Sequence, residues 1–250
     1  MNQSAGEVME EVQNKSQNEN DYYLNQWATE FGDEYSKRCD VDPEKRVDIY
    51  EKIFDNFKWD KPERKILELG ANRGHNLVAI ETVLNLECRL FCQQTERSKM
   101  MIEYEQRGFW LGTPIIRGVE PNRSAIALSD RPESISVGNL YDIPYIDNAF
   151  DVVFTSGVLI HIPRKGLEKA IQEMARVSSK YVMMIEYESK EEEGRHYREF
   201  DKDGVWSRDF GKELETVLPD WKLVKKVPVK ELGDDGWGFT DCTVWIYEKP

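Results

Sequence analysis

Apolar positions along the chain follow two rhythms, one of short unbroken runs and one of helical spacing. Ile66, Leu67 and Leu69 form a run of the kind a buried parallel strand shows. Gly70 and Gly74 follow, and a helical period then takes over at Leu77, Ile80, Val83 and Leu84. That is strand, glycine turn and a helix from about His75 to Leu86. Upstream, Tyr23, Trp27, Phe31 and Tyr35 recur every fourth residue, which places four aromatics on one helical face. Gly32 is expected to break that helix into two pieces. A second helix is expected after Pro43, with Val47, Tyr50, Ile53, Phe54 and Phe57 on its apolar side. Downstream, the pattern predicts a short helix over Ser124 to Ser129 and a strand over Ser134 to Gly138. A buried strand Val152-Val153-Phe154, a helix from about Gly166 to Ser178 and a strand Tyr181 to Tyr187 come next. Ser189 to Gly194 is a charge run and reads as a solvated loop. Trp221 to Val227 and Thr240 to Tyr247 read as two strands joined by the Gly- and Asp-rich loop Gly233 to Gly238.

A length of 250 residues fits one domain of doubly wound size. The balance of 34 Lys and Arg against 47 Asp and Glu gives a net charge of -13, which repels phosphate backbones and lowers the expectation of a nucleic-acid partner. No apolar run of about 18 residues suggests a membrane span. Residues 1–20 are rich in Gln, Asn, Glu and Ser, lack an apolar signal core and read as a disordered tail. The four cysteines, Cys39, Cys88, Cys92 and Cys242, show no disulfide framework and no metal-ligand spacing beyond Cys88-x-x-x-Cys92. They read as reduced thiols of a cytoplasmic protein, and no metal is expected.

The chemistry concentrates where the strand runs end. Glu68 is a carboxylate near the end of a buried strand and needs a cationic or hydrogen-bonding partner. The turn after it reads Glu-x-Gly-x-x-x-Gly, which departs from the G-x-G-x-x-G dinucleotide fingerprint. Such a turn brings backbone N–H groups and a helix N-terminus up to a ligand. The second concentration is Asp151 to His161, where a buried strand ends in Thr155, Ser156 and Gly157. In open parallel sheets ligands sit at that end of the strands.

The segment Glu68 to Gly74 resembles the first motif of the class I S-adenosylmethionine-dependent methyltransferases, and Asp151 to His161 resembles their fourth. The resemblance covers roughly Lys61 to Lys249. It implies a Rossmann-like α/β fold with seven strands, mostly parallel, helices on both faces and a C-terminal antiparallel hairpin. A narrower resemblance is to bacterial methylases associated with pseudaminic acid biosynthesis. It rests on Trp27-x-x-Glu30-Phe31-Gly32-x-x-Tyr35, on Glu68 to Leu77 with Asn72 and Asn76, on Gly118-Val119-Glu120-x-Asn122, and on Ser156-Gly157-Val158-Leu159-Ile160-His161-Ile162.

These resemblances imply S-adenosyl-L-methionine as cofactor. Its binding residues are then Glu68, Gly70, Ala71, Asn72, Gly74 and Asn76 in the first loop and Thr155, Ser156 and Gly157 in the fourth motif. Asn139 would accept from the adenine amino group and Leu140 would pack on the ring. Glu120 would accept both ribose hydroxyls, since two carboxylate oxygens match a vicinal diol. Glu120 lies far beyond Gly70, so an insertion at about 91–117 is expected, with Cys88-Arg89-Leu90 joined to Gly118-Val119-Glu120 as the second strand. The rival alignment makes Arg89 to Cys92 that strand and moves the ribose contact to Gln94 or Glu96.

The domain reading is a tail over 1–20, an N-terminal helical cap over 21–60 and a methyltransferase domain over 61–250. The cap aromatics read either as core packing or as a lid. His161 is the candidate general base, with an ordinary pKa near 6.5 suited to a sugar hydroxyl. Tyr187 emerges at a strand end, and Arg208 is a candidate for a substrate carboxylate. Ser207 is expected to cap the helix after Arg208, with Asp209 in its first turn. The expected acceptor is a small molecule, a bacterial sugar or nonulosonic acid. The alternatives are another small molecule, a protein, or a non-catalytic binding role for the fold.

Overall fold

Strands with apolar residues on both faces build the centre of one sheet. β1 (Lys65–Leu69), β2 (Ile115–Glu120), β3 (Ile135–Val137), β4 (Phe150–Ser156) and β5 (Ser178–Tyr187) are parallel. β8 (Lys222–Pro228) and β9 (Cys242–Glu248) close one edge as an antiparallel hairpin, with β9 paired to β5. The order is β3-β2-β1-β4-β5-β9-β8. The structure, a computed structural model, describes residues 19–59, 64–94, 114–196, 203–236 and 238–250. None of its helices is long and apolar enough to cross a membrane among these residues.

Alternate residues of the strands feed two cores. Ile66, Val152, Phe154, Met183 and Ile246 face α3 (Glu44–Phe54) and α4 (His75–Gln94), where Tyr50, Ile53, Phe54, Leu77 and Ile80 meet them. Leu67, Leu69, Val153, Met184 and Trp245 face α6 (Arg164–Val177) and α7 (Phe210–Val217). The chain runs outward from β1 through β2 and β3, then crosses back to β4 on the other side of β1. That reversal opens a crevice at the C-terminal ends of β1 and β4, the place where open α/β sheets hold ligands.

Several expectations are corrected. The helix after Gly74 does not stop near Leu86 but continues to Gln94. Cys88 to Leu90 are therefore helical and no part of the second strand, and the rival strand Arg89 to Cys92 does not exist. β2 starts at Ile115 and ends on Glu120, directly beside β1. Gln94 ends a helix, and Glu96 and most of the expected insertion lie outside the described residues, as does the expected tail up to residue 18. Of the charge run, Ser189 to Glu192 is loop as expected, but Glu193 and Gly194 open a strand, Glu193–His196, which pairs antiparallel with Asp203–Ser207 as a separate ribbon, β6 and β7. Ser207 ends β7, and the cap of α7 is Asp209, whose side chain accepts from the Lys212 N–H.

At the N-terminus, a first helix, α1, spans residues 19–28 and α2 spans Glu30–Arg38. The break falls at Thr29, and Gly32 lies inside α2. α3 packs on the sheet beside α4, whereas α1 and α2 extend over the crevice.

Candidate active site

A cavity of about 260 Å³ lies under α1 and α2 at the ends of β1, β2 and β4. Its floor includes Glu68, Gly70, Ala71, Asn72, Asn76, Glu120, Ser156 and Gly157. Asn139, Leu140, His161 and Tyr187 also line it, and Tyr23, Trp27 and Tyr35 cover it from the N-terminal helices. Three expected site residues do not line it. Gly74 turns away toward Ser129 and Ile135. Thr155 is fully buried within β4. Arg208 is 1% exposed, and its Nε donates to Glu192 at 2.7 Å while Nη1 donates to the Ile162 carbonyl at 2.8 Å. Its guanidinium fork ties β7 to the turn after β4 and is not presented to a substrate carboxylate.

The glycine loop is shaped by close packing. Gly70 has φ +73°, and a Cβ there would come 2.6 Å from Val158 Cγ2. The Gly70 and Ala71 N–H groups both donate to the Val119 carbonyl, which pins the loop against β2. Asn72 takes a left-handed conformation with φ 48°, which Asn adopts more readily than most residues. Its N–H then donates to Glu120 Oε2 at 2.8 Å, and the Asn122 N–H donates to Glu120 Oε1 at 2.9 Å. Each oxygen keeps a second lone-pair direction for the ribose hydroxyls expected there.

Glu68 sits deeper. Its Oε1 accepts from Asn76 Nδ2 at 2.6 Å, and its Oε2 is buried with no hydrogen-bond partner among the described residues. Asn72 Oδ1 is in the same state. Two orphaned acceptors on lining residues fit a ligand that carries donors, such as an ammonium group. Arg46 of α3 completes the network. Its Nη1 donates to Asn76 Oδ1 at 2.7 Å, its Nε to Asp235 at 2.9 Å, and it stacks on Phe239 at 4.5 Å. Arg46 was not among the expected site residues. The signal was present: Arg46, Tyr50 and Ile53 share one helical face, so Arg46 falls on the buried side of α3.

Burial pushes the carboxyl pKa of Glu68 up to about 8 and that of Glu120 to about 7. A carboxyl whose folded pKa is raised favours folding fully below the ordinary range near 4.5. That contribution is lost as pH rises through 7 to 8. The ligand-free protein should therefore melt at a higher temperature at pH 5 than at pH 8. Glu68→Gln, which keeps the Asn76 bond, should flatten that slope, by up to roughly 4 kcal/mol at pH 8 if the whole shift counts. Thermal scans of both proteins at the two pH values check this. An unchanged slope in the variant would show that Glu68 is ionised at no cost.

Asn139 departs from its expected role. Its Oδ1 already accepts from the Tyr141 N–H at 2.8 Å and the Asp142 N–H at 3.2 Å. An amide with both carbonyl lone pairs taken offers its Nδ2 as a donor, so a ring nitrogen of a purine suits it better than the amino group.

His161 ends a short 3₁₀ turn, Leu159–His161, that follows β4. Glu186 at the end of β5 builds that turn. Its carboxylate accepts from the N–H groups of Val158, Leu159 and Ile160 at 3.2, 3.1 and 3.3 Å. The His161 ring lies 4.4 Å from the Trp27 ring, and its Nδ1 contacts the Gly204 carbonyl at 2.7 Å. That contact requires the proton on Nδ1 and leaves Nε2 as the acceptor nitrogen. Burial pushes its pKa down to about 4, well below the value of 6.5 expected from the sequence.

The comparisons with known proteins agree with the fold. The sequence matches the family described as Methyltransferase domain over residues 109–182. No curated protein sequence matches the chain. Among solved structures, it resembles a SAM-dependent methyltransferase from Aquifex aeolicus at 15% identity and TM-score 0.51, covering 86% of this chain and 97% of that one. It resembles the 1,6-didemethyltoxoflavin-N1-methyltransferase of Burkholderia thailandensis, solved with S-adenosylhomocysteine, at 13% identity and TM-score 0.53, covering 100% and 92%. It also resembles the [4+2]-cyclase SpnF at 12% identity and TM-score 0.51, covering 81% and 80%.

Proposed function

We propose that this chain, which carries the fold of S-adenosylmethionine-dependent methyltransferases, binds S-adenosyl-L-methionine in the cavity and methylates a small molecule there. S-adenosylmethionine supplies a methyl group on a sulfonium centre. The observation that supports its binding most is the pairing of two acidic residues on one cavity floor. Glu68, with an orphaned oxygen, suits the ammonium of the methionine end. Glu120, with both oxygens oriented by backbone N–H groups, suits the ribose diol. Leu140 and the Asn139 amide suit the adenine. The fold alone does not fix the reaction, as the cyclase neighbour illustrates; the donor set at Glu68 and Glu120 favours the methyl donor.

Within this reading the acceptor is a bacterial sugar or nonulosonic acid. The four stretches similar to the pseudaminic-acid-associated methylases support it. So do the aromatic rings of Tyr23, Trp27 and Tyr35 that line the cavity, a composition suited to a sugar. The acceptor lone pair forms the new bond to the methyl carbon as the carbon–sulfur bond breaks toward sulfur. The enzyme's part is alignment at about 3–3.5 Å. His161 takes the acceptor proton at Nε2, or orients the hydroxyl until the proton is lost. Tyr187 bounds the acceptor side of the cavity. The four thiols suit a cytoplasmic setting, where they stay reduced.

The test is acceptor-dependent formation of S-adenosylhomocysteine with pseudaminic acid and its CMP-activated form. Formation with neither, and with no neutral sugar, would remove the sugar reading. His161→Ala should lower turnover by about 10²-fold or more if the imidazole takes the proton, with S-adenosylhomocysteine affinity unchanged. Because the base form persists down to its low pKa, wild-type turnover at saturating S-adenosylmethionine, where protonation of Glu68 and Glu120 does not limit binding, should stay level from pH 8 to about 5 and fall only near pH 4. Near-normal turnover of His161→Ala would remove the base role.

A further inference from the structure

Asn122 is 1% exposed, and every polar atom of it is used. Its Oδ1 accepts from the Ala125 N–H at 2.8 Å and caps the short helix α5 (Arg123–Ala127). Its backbone N–H holds Glu120 Oε1. Its Nδ2 reaches the other way, to the Trp27 carbonyl at 3.1 Å, the Thr29 carbonyl at 3.3 Å and Asp33 Oδ1 at 2.9 Å. The two carbonyls lie at the break between α1 and α2, where the Thr29 carbonyl also accepts from the Asp33 N–H at 2.9 Å. The amide cannot be flipped, because its oxygen faces an N–H and its nitrogen faces oxygens.

A second observation places the covering helices on this residue. Gly32 of α2 lies so close that a Cβ there would fall 1.9 Å from the Trp27 carbonyl and 2.6 Å from Asn122 Nδ2. Only a residue without a side chain lets α2 approach this far. Trp27, whose carbonyl Asn122 holds, is also the ring that lies on His161.

We propose that Asn122 is a positioning residue that couples closure of α1 and α2 over the cavity to the seating of the ribose on Glu120. One residue fixes the carboxylate through its backbone and the cover through its side chain, so a displacement of either is felt by the other. A ribose that holds Glu120 in place also holds the latch. An open cover frees the Asn122 loop and loosens Glu120. This inference rests on the cofactor reading given above.

The test is the dissociation rate of S-adenosylhomocysteine, with amide hydrogen exchange over residues 19–38. Asn122→Asp keeps the helix cap and the backbone N–H but replaces the two-hydrogen donor, which three oxygens share, with an oxygen that repels them. Gly32→Ala pushes the cover off from its own side without touching Glu120, and it carries the test if Asn122→Asp does not fold. Each variant should release the ligand at least tenfold faster and raise exchange over residues 19–38. In a Glu120→Ala background the effect of Asn122→Asp on affinity should shrink, as expected of coupled residues. A purely structural Asn122 would lower the melting temperature yet leave the release rate at the wild-type value, and that result, or additive effects with Glu120→Ala, overturns the coupling. Failure of the wild type to bind S-adenosylhomocysteine overturns the cofactor reading, and the coupling falls with it.

Discussion

Glu186→Ala should be among the most damaging single substitutions in this chain, destabilising it by about 3–5 kcal/mol. Glu186 is fully buried, and its carboxylate accepts the N–H groups of three consecutive residues, Val158, Leu159 and Ile160. Removing it leaves three donors without their acceptor in a largely buried turn, and each unmet donor costs about 1–3 kcal/mol. The one methylene lost from β5 beside β9 adds to that. Burial holds its pKa at about 7 in spite of the three bonds, so the carboxylate carries a desolvation cost that partly offsets them. The total therefore belongs at the lower end of the simple sum. Urea unfolding should show a lower midpoint with an unchanged slope. Because the turn also carries Gly157 and His161, the surviving folded protein should bind S-adenosylhomocysteine more weakly. A midpoint near that of the wild type would mean that the turn after β4 holds itself.

Much of this molecule is written in local sequence, and what is not depends on distant partners. The run Ile66-Leu67-x-Leu69 with Gly70 after it specifies β1 and its turn, because a two-faced buried strand needs nothing else to be recognised. Phe150 to Gly157 does the same for β4. Glu120 was legible as the acidic end of the second strand through the resemblance of Gly118-Val119-Glu120-x-Asn122 to the methylase group, and β2 ends on it as expected; its contact with a ribose is the proposal made above. The stretch Leu86 to Cys92 was ambiguous, since a short apolar run serves a helix or a strand equally, and it continues α4. Gly32 read as a helix breaker because its reason is a contact with Asn122, ninety residues away (122 minus 32). Arg208 read as a candidate for a substrate carboxylate because nothing near it in sequence announces Glu192 and Ile162 as its partners. Asn139 was expected to accept from a ligand, but its own turn takes both lone pairs first. In each case the residue type was noticed correctly and its partner was not.

Glu120→Ala should produce the largest loss of ligand affinity. Hydrogen bonds to a charged group are worth about 1.5–3 kcal/mol each, and the ribose would make two. The substitution also leaves the N–H groups of Asn72 and Asn122 without their acceptor, which loosens both the glycine loop and the cover. Water and repacking return part of this, so a weakening of at least tenfold, about 1.4 kcal/mol, is the minimum expected. The most direct measurement is titration calorimetry of S-adenosylmethionine and S-adenosylhomocysteine into the wild type and into Glu120→Ala. The predicted result is micromolar binding to the wild type, weakened tenfold or more by the substitution. Binding that ignores Glu120→Ala would contradict the placement of the ribose, and a wild type that binds neither ligand would contradict the assignment of the cavity to this cofactor.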